Sequence, residues 1–97
     1  MSFLARFRRK KSKEDVEIAR RALLLRSGRI GEATVLAADE DGDGNLILSY
    51  SYTLGGVDYQ AFQKLDAEQR LRESDYLPGA QVALRYDPRR PANSLVV

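Results

Sequence analysis

The sequence predicts an α+β fold that is mostly β. It is an N-terminal helix packed on a small five-stranded antiparallel barrel or rolled sheet, of OB or SH3 size. Two observations predict this. Apolar residues recur at helical spacing over residues 12–27 and then switch to strict alternation. From residue 29 onward the alternating runs are short and divided by turns containing Gly, Pro, Asp and Asn, as in small barrels. A chain of 97 residues holds one modest core. The expected organisation is a disordered basic arm over residues 1–11 and one domain over 12–97, with its β body over 29–97.

The helix, expected over 12–27, carries both end signals. Ser12 with Asp15 three residues on makes a capping box in its Asp form. Glu14, Asp15 and Glu17 precede Arg20, Arg21 and Arg26, an order that complements the helix dipole. Val16, Ile18, Ala19, Ala22, Leu23 and Leu25 are read as one broad apolar face, and Gly28 as the residue beyond the C-terminus. The expected role of this face is to dock across an open end of the β body. The alternatives are a partner surface or a dimer seam.

A first strand is expected over Ile30–Ala38, with Ala33, Val35 and Ala37 on one side, followed by a polar turn over Asp39–Asn45. Leu46, Leu48, Tyr50, Tyr52 and Leu54 then alternate with Ile47, Ser49, Ser51 and Thr53. Gly55-Gly56 supplies a two-residue hairpin loop in which both residues can take positive φ. If Leu54 pairs with Val57, Tyr52 faces Tyr59 and Tyr50 faces Ala61. Asp66 with Gln69 caps a short helix expected to reach about Ser74. Leu77-Pro78-Gly79 is a turn, Ala80–Tyr86 a fourth strand, and Ser94–Val97 a short fifth. That last strand can pair within the chain or with a second copy.

Read in order, Gly31-x-Ala33-x-Val35, Tyr50-x-Tyr52, Gly55-Gly56, Tyr59, Tyr76-x-Pro78-Gly79, Val82 and Tyr86-Asp87-Pro88 with Pro91 and Ser94 form a pattern. It resembles a widespread bacterial family known as a domain of unknown function, over roughly Arg29 to Val97. The resemblance implies a small β domain, often attached to membrane-spanning helices. It implies no catalytic or binding residues. This chain departs from the membrane-bound members in having no spanning segment.

Composition narrows the function. Cysteine and histidine are both absent, which removes thiolate chemistry and the commonest general base and metal ligand. The absence of cysteine is compatible with a reducing cytoplasm. No apolar run reaches the roughly 18 residues of a spanning helix, and Arg6, Arg8 and Arg9 break up the apolar residues that a secretory signal needs. No serine is placed near a base and no glycine loop has phosphate-binding spacing. The expectation is a non-enzyme without a cofactor.

The net charge of +2 hides an asymmetry. Residues 1–13 carry six bases and no acid, whereas residues 14–97 carry ten bases and all fourteen acids, leaving them at −4. Phe3, Leu4 and Phe7 lie among Arg6, Arg8, Arg9, Lys10, Lys11 and Lys13. Such a segment can bind an anionic membrane surface, with apolar groups in the interface and cations on headgroups. A nonspecific nucleic-acid contact is less favoured, because phosphates do not call for apolar residues. A passive solubilising tail is the plain alternative.

Two further features bear on function. Asp39, Asp41 and Asp43 with Gly44 match the start of a calcium loop, but the twelfth position is Tyr50. A solvated turn is the better reading, with no metal expected. Tyr50, Tyr52 and Tyr59 could stack bases, but their neighbours are Ser49, Ser51, Asp58 and Gln60, so packing is favoured. The expected function is an interaction module with an unknown protein partner. It would be cytoplasmic and peripheral at the inner membrane surface through its arm, with dimerisation open. A nucleic-acid-binding module, or a self-associating structural domain with a passive tail, are the alternatives.

Overall fold

Alternation from Arg29 onward builds five antiparallel strands: β1 (Arg29–Glu40), β2 (Leu46–Leu54), β3 (Val57–Lys64), β4 (Gln81–Asp87) and β5 (Arg90–Val96). They follow the spatial order β3-β2-β1-β4-β5 and curl into a nearly closed barrel. A helix, α1 (Lys13–Ser27), precedes them. A short α2 (Ala67–Arg70) and a 3-10 turn (Glu73–Tyr76) connect β3 to β4. This computed structural model describes residues 12–97.

The glycine pair sets the β2–β3 register. Gly55 and Gly56 take φ of 57° and 80°, which glycine adopts without steric cost. Leu54 then pairs with Val57, Tyr52 with Tyr59 and Tyr50 with Ala61, as the alternation predicts. The inward residues Leu46, Leu48, Tyr50 and Tyr52 meet Ala33, Val35, Leu65, Tyr76, Leu84 and Val96 in one core. Burial of the Tyr76 ring outweighs its hydroxyl, which finds no partner among the described residues at a cost of about 1–3 kcal/mol.

Four expectations need correction. β1 is longer than Ile30–Ala38 and holds a bulge between Val35 and Ala37. Val35 pairs with Tyr50 on the inner side, Ala37 with Ser49 on the other, and Ala38 returns inward opposite Leu48. The bulge is fixed from a distance: Gly79 N–H donates to Val35 O and Val35 N–H to Ala80 O. The helix expected to reach Ser74 stops at Arg70, because Arg72 leaves helical geometry at φ −119° and ψ 36°. β5 starts at Arg90 rather than Ser94, since Asp87 pairs with Arg90 around a tight Pro88-Arg89 turn. β5 pairs with β4 of its own chain.

The fourth correction concerns α1. Its N-terminus is capped as expected, Asp15 N–H donating to Ser12 Oγ at 3.1 Å. The face that docks, however, is not the broad apolar one. Leu24 is the one buried residue of α1, while Val16, Ile18, Leu23 and Leu25 stay exposed. Gly28 is also not in a left-handed conformation; its φ is −71°. Space is what requires glycine here. A Cβ would lie 2.6 Å from Leu24 O and 3.3 Å from the Arg85 Cβ. Gly28→Ala is therefore expected to destabilise the domain by about 1–3 kcal/mol, read as a lower urea midpoint with an unchanged m-value.

Candidate functional site

The seam between β3 and β5, the two ends of the strand order, concentrates the polar chemistry of the domain. Side chains span it where a backbone ladder would otherwise run. Gln63, buried on β3, donates Nε2–H to Val96 O and accepts Val96 N–H at Oε1, both at 2.8 Å. Gln69 adds a second donor to Val96 O at 2.9 Å. The hydroxyls of Tyr50 and Ser94 meet at 2.8 Å, and the Tyr52 hydroxyl donates to Pro91 O at 2.6 Å. Gln69 reaches the seam because the Asp66 capping box is formed in both directions.

α1 lies over this seam and grips both its sides. Arg20 donates to Asn93 Oδ1 at 2.8 Å and to Ser94 O at 2.9 Å on β5. Arg21 donates to Lys64 O on β3 at 2.8 Å. Glu17 orients both guanidinium groups, at 2.8 Å from Arg20 and 2.6 Å from Arg21. The bonds from Arg20 hold the Glu17 carboxyl at about 2, against desolvation and with help from Arg21. Burial raises the hydroxyl pKa of Tyr50 and of Tyr52. The cluster thus gives charged donors and hydroxyls to backbone carbonyls on both edges.

The expected site residues fall in different places. Phe3, Leu4, Arg6, Phe7, Arg8, Arg9, Lys10 and Lys11 lie outside the described residues. Lys13 is the exposed first residue of α1. Tyr50 and Tyr52 are 1% and 5% exposed, and the rings of Tyr52 and Tyr59 stack at 5.2 Å with 14° between planes. The stripe lines the barrel interior, with Tyr59 half-buried at its edge. In the acidic loop Asp41 turns back on its own backbone, accepting the N–H groups of Asp43 and Asn45 at 2.9 Å. Those bonds, led by Asn45, lower its pKa. Among the described residues no group of three or more Asp and Glu side chains is placed to hold a metal. No described helix is long and apolar enough to cross a membrane.

Sequence reading missed Glu17, Arg20, Arg21, Gln63 and Ser94 as a cluster. One signal was available. Within β3 a glutamine occupies an inward position while its neighbour Phe62 faces outward, 76% exposed. A polar residue in the apolar phase of a strand marks a partner across the core.

The family described as Domain of unknown function (DUF3592) matches residues 27–97. The chain belongs to this family. The DUF3592 match begins at the last residue of α1 and takes in every strand of the barrel. No curated protein and no solved structure matched the chain.

Two outcomes test the seam. Gln63→Leu keeps the side chain's bulk but strips Val96 N–H of its acceptor, and is expected to cost about 2–3 kcal/mol with faster amide exchange at Val96. Glu17 has a folded pKa below its unfolded value, so its stabilisation is complete above about pH 4.5 and fades as pH falls towards 2. Glu17→Gln should therefore flatten the stability profile between pH 5 and 2 by about 1 kcal/mol, a modest sum for a partly exposed pair.

Proposed function

We propose that this protein is a non-catalytic interaction module held at the cytoplasmic face of an anionic membrane by its N-terminal arm. One observation carries the reading: six cations and three large apolar residues lie within residues 1–13, ahead of a remainder with net charge −4. A body of that sign does not itself attract a polyanion, so the arm is the attachment point. Each cation near an anionic surface contributes about 1 kcal/mol, and Phe3, Leu4 and Phe7 add interfacial burial. The attachment is reversible, and the β body remains available to a protein partner.

The lack of histidine and cysteine supports a binding rather than a chemical role. A nucleic-acid reading rests on the arm alone, since the tyrosine stripe faces the barrel interior. The full chain is expected to co-sediment with phosphatidylserine vesicles but not with neutral ones at about 0.15 M salt. Changing Arg6, Arg8 and Arg9 together to Gln should weaken that binding by about 100-fold. Excess duplex DNA should not displace the vesicles; displacement would favour the nucleic-acid reading, and equal binding by the triple variant would remove the arm as anchor.

A further inference from the structure

α1 uses one stripe to dock and leaves the opposite ridge exposed. Glu17, Arg20, Arg21, Leu24 and Gly28 follow the spacing i, i+3, i+4, i+7, i+11 and form the docked stripe. At about 3.6 residues per turn the opposite ridge is Asp15, Ala19, Ala22 and Arg26. All four are exposed. Val16 and Leu23 flank this ridge on one side, 55% and 51% exposed, and Ile18 and Leu25 on the other, 60% and 52% exposed. An exposed crest of small residues with a half-exposed aliphatic pair on each flank marks a contact surface.

Reversed end to end, the strip is complementary to itself. Acid, alanine, alanine, base run along its crest, with an aliphatic pair on each flank. We infer that α1 is the seam of an antiparallel homodimer. A twofold axis crossing the helix midway between Ala19 and Ala22 sets Ala19 against Ala22 of the second copy. It sets Asp15 against Arg26, Val16 against Leu23 on one flank, and Ile18 against Leu25 on the other. Small residues on the crest let the helix axes approach to about 8 Å, so the aliphatic flanks close over the contact. Such an isologous contact closes on itself and builds nothing larger.

Charge selects this occupant and this direction. A parallel pair would oppose Asp15 to Asp15 and Arg26 to Arg26; the antiparallel pair joins unlike charges at both ends. The crest carries one acid and one base, so it offers no net positive charge to an anionic lipid surface. The antiparallel arrangement also sets the two helix N-termini at opposite ends of the seam. A four-turn helix pair is a small interface, and weak association is expected, with dissociation at about 10–500 µM.

Sedimentation equilibrium of the full chain tests this. The average mass should climb from 10.9 kDa towards twice that value across about 5 µM to 1 mM. Ala19→Arg, helix-compatible and exposed in the monomer, should weaken association by about 100-fold with unchanged circular dichroism. The chain has no cysteine, so direction can be read separately. Ala19→Cys mixed with Ala22→Cys should form the mixed disulfide about 10-fold faster than either variant forms its own. A monomer at 1 mM, or faster self-crosslinking of Ala19→Cys, overturns the inference. So does protection of these thiols by anionic vesicles without crosslinking, which would mean that lipid covers the strip.

Discussion

Closure of the barrel depends on the grip of Gln63 on Val96. Five strands that curl must either join their first and last edges or leave two rows of unpaired backbone groups. Here one side-chain amide stands in for a peptide unit of the missing ladder, giving Val96 O a donor and Val96 N–H an acceptor. That is the two-bond exchange a directly paired residue would make in an antiparallel ladder. A net bond contributes about 0.5–1.5 kcal/mol, but a buried peptide group left without a partner costs about 1–3 kcal/mol. The larger effect is therefore to keep the seam from carrying that penalty. Tyr50, Tyr52 and Gln69 extend the same principle along β5, each reaching β5 from another element.

The placement of α1 follows from that seam. Two carbonyls on facing edges, Lys64 O and Ser94 O, need donors long enough to reach them from outside the barrel. Arginine has the reach and the fork, and Glu17 holds two guanidinium groups in line. One buried leucine adds about 1.5–3 kcal/mol of apolar burial. The helix is therefore oriented by its polar stripe. Its aliphatic residues other than Leu24 stay about half exposed because the seam asks for donors, not for carbon.

This explains which parts of the fold were legible in the sequence. The β2–β3 hairpin was, because Gly55-Gly56 and strict alternation act over a few residues and leave one register. The helix caps at Ser12 and Asp66 were legible for the same local reason. The bulge in β1 was not. Its cause is the turn at Gly79-Ala80, more than forty residues away, bonding to Val35. The docked face of α1 is not legible either, because its aliphatic residues suggest burial and its charges suit the helix dipole. The partners that correct this, Asn93 and Ser94, lie over seventy residues along the chain. No local pattern encodes them.

The closure and the bare helix are two sides of one arrangement. Had the seam been closed by a full backbone ladder, α1 would have had no carbonyls to grip, and its six aliphatic and alanine residues would have been the natural docking face. Side-chain closure instead claims Glu17, Arg20 and Arg21, spaced on one stripe. The opposite stripe is then turned outward by helix geometry alone. A residue's exposure on α1 is thus decided on β3 and β5. Weakening the Glu17–Arg20–Arg21 fork would loosen the orientation that presents Ala19 and Ala22 to solvent. The contact chemistry of the outer helix surface is in this way coupled to how the barrel closes.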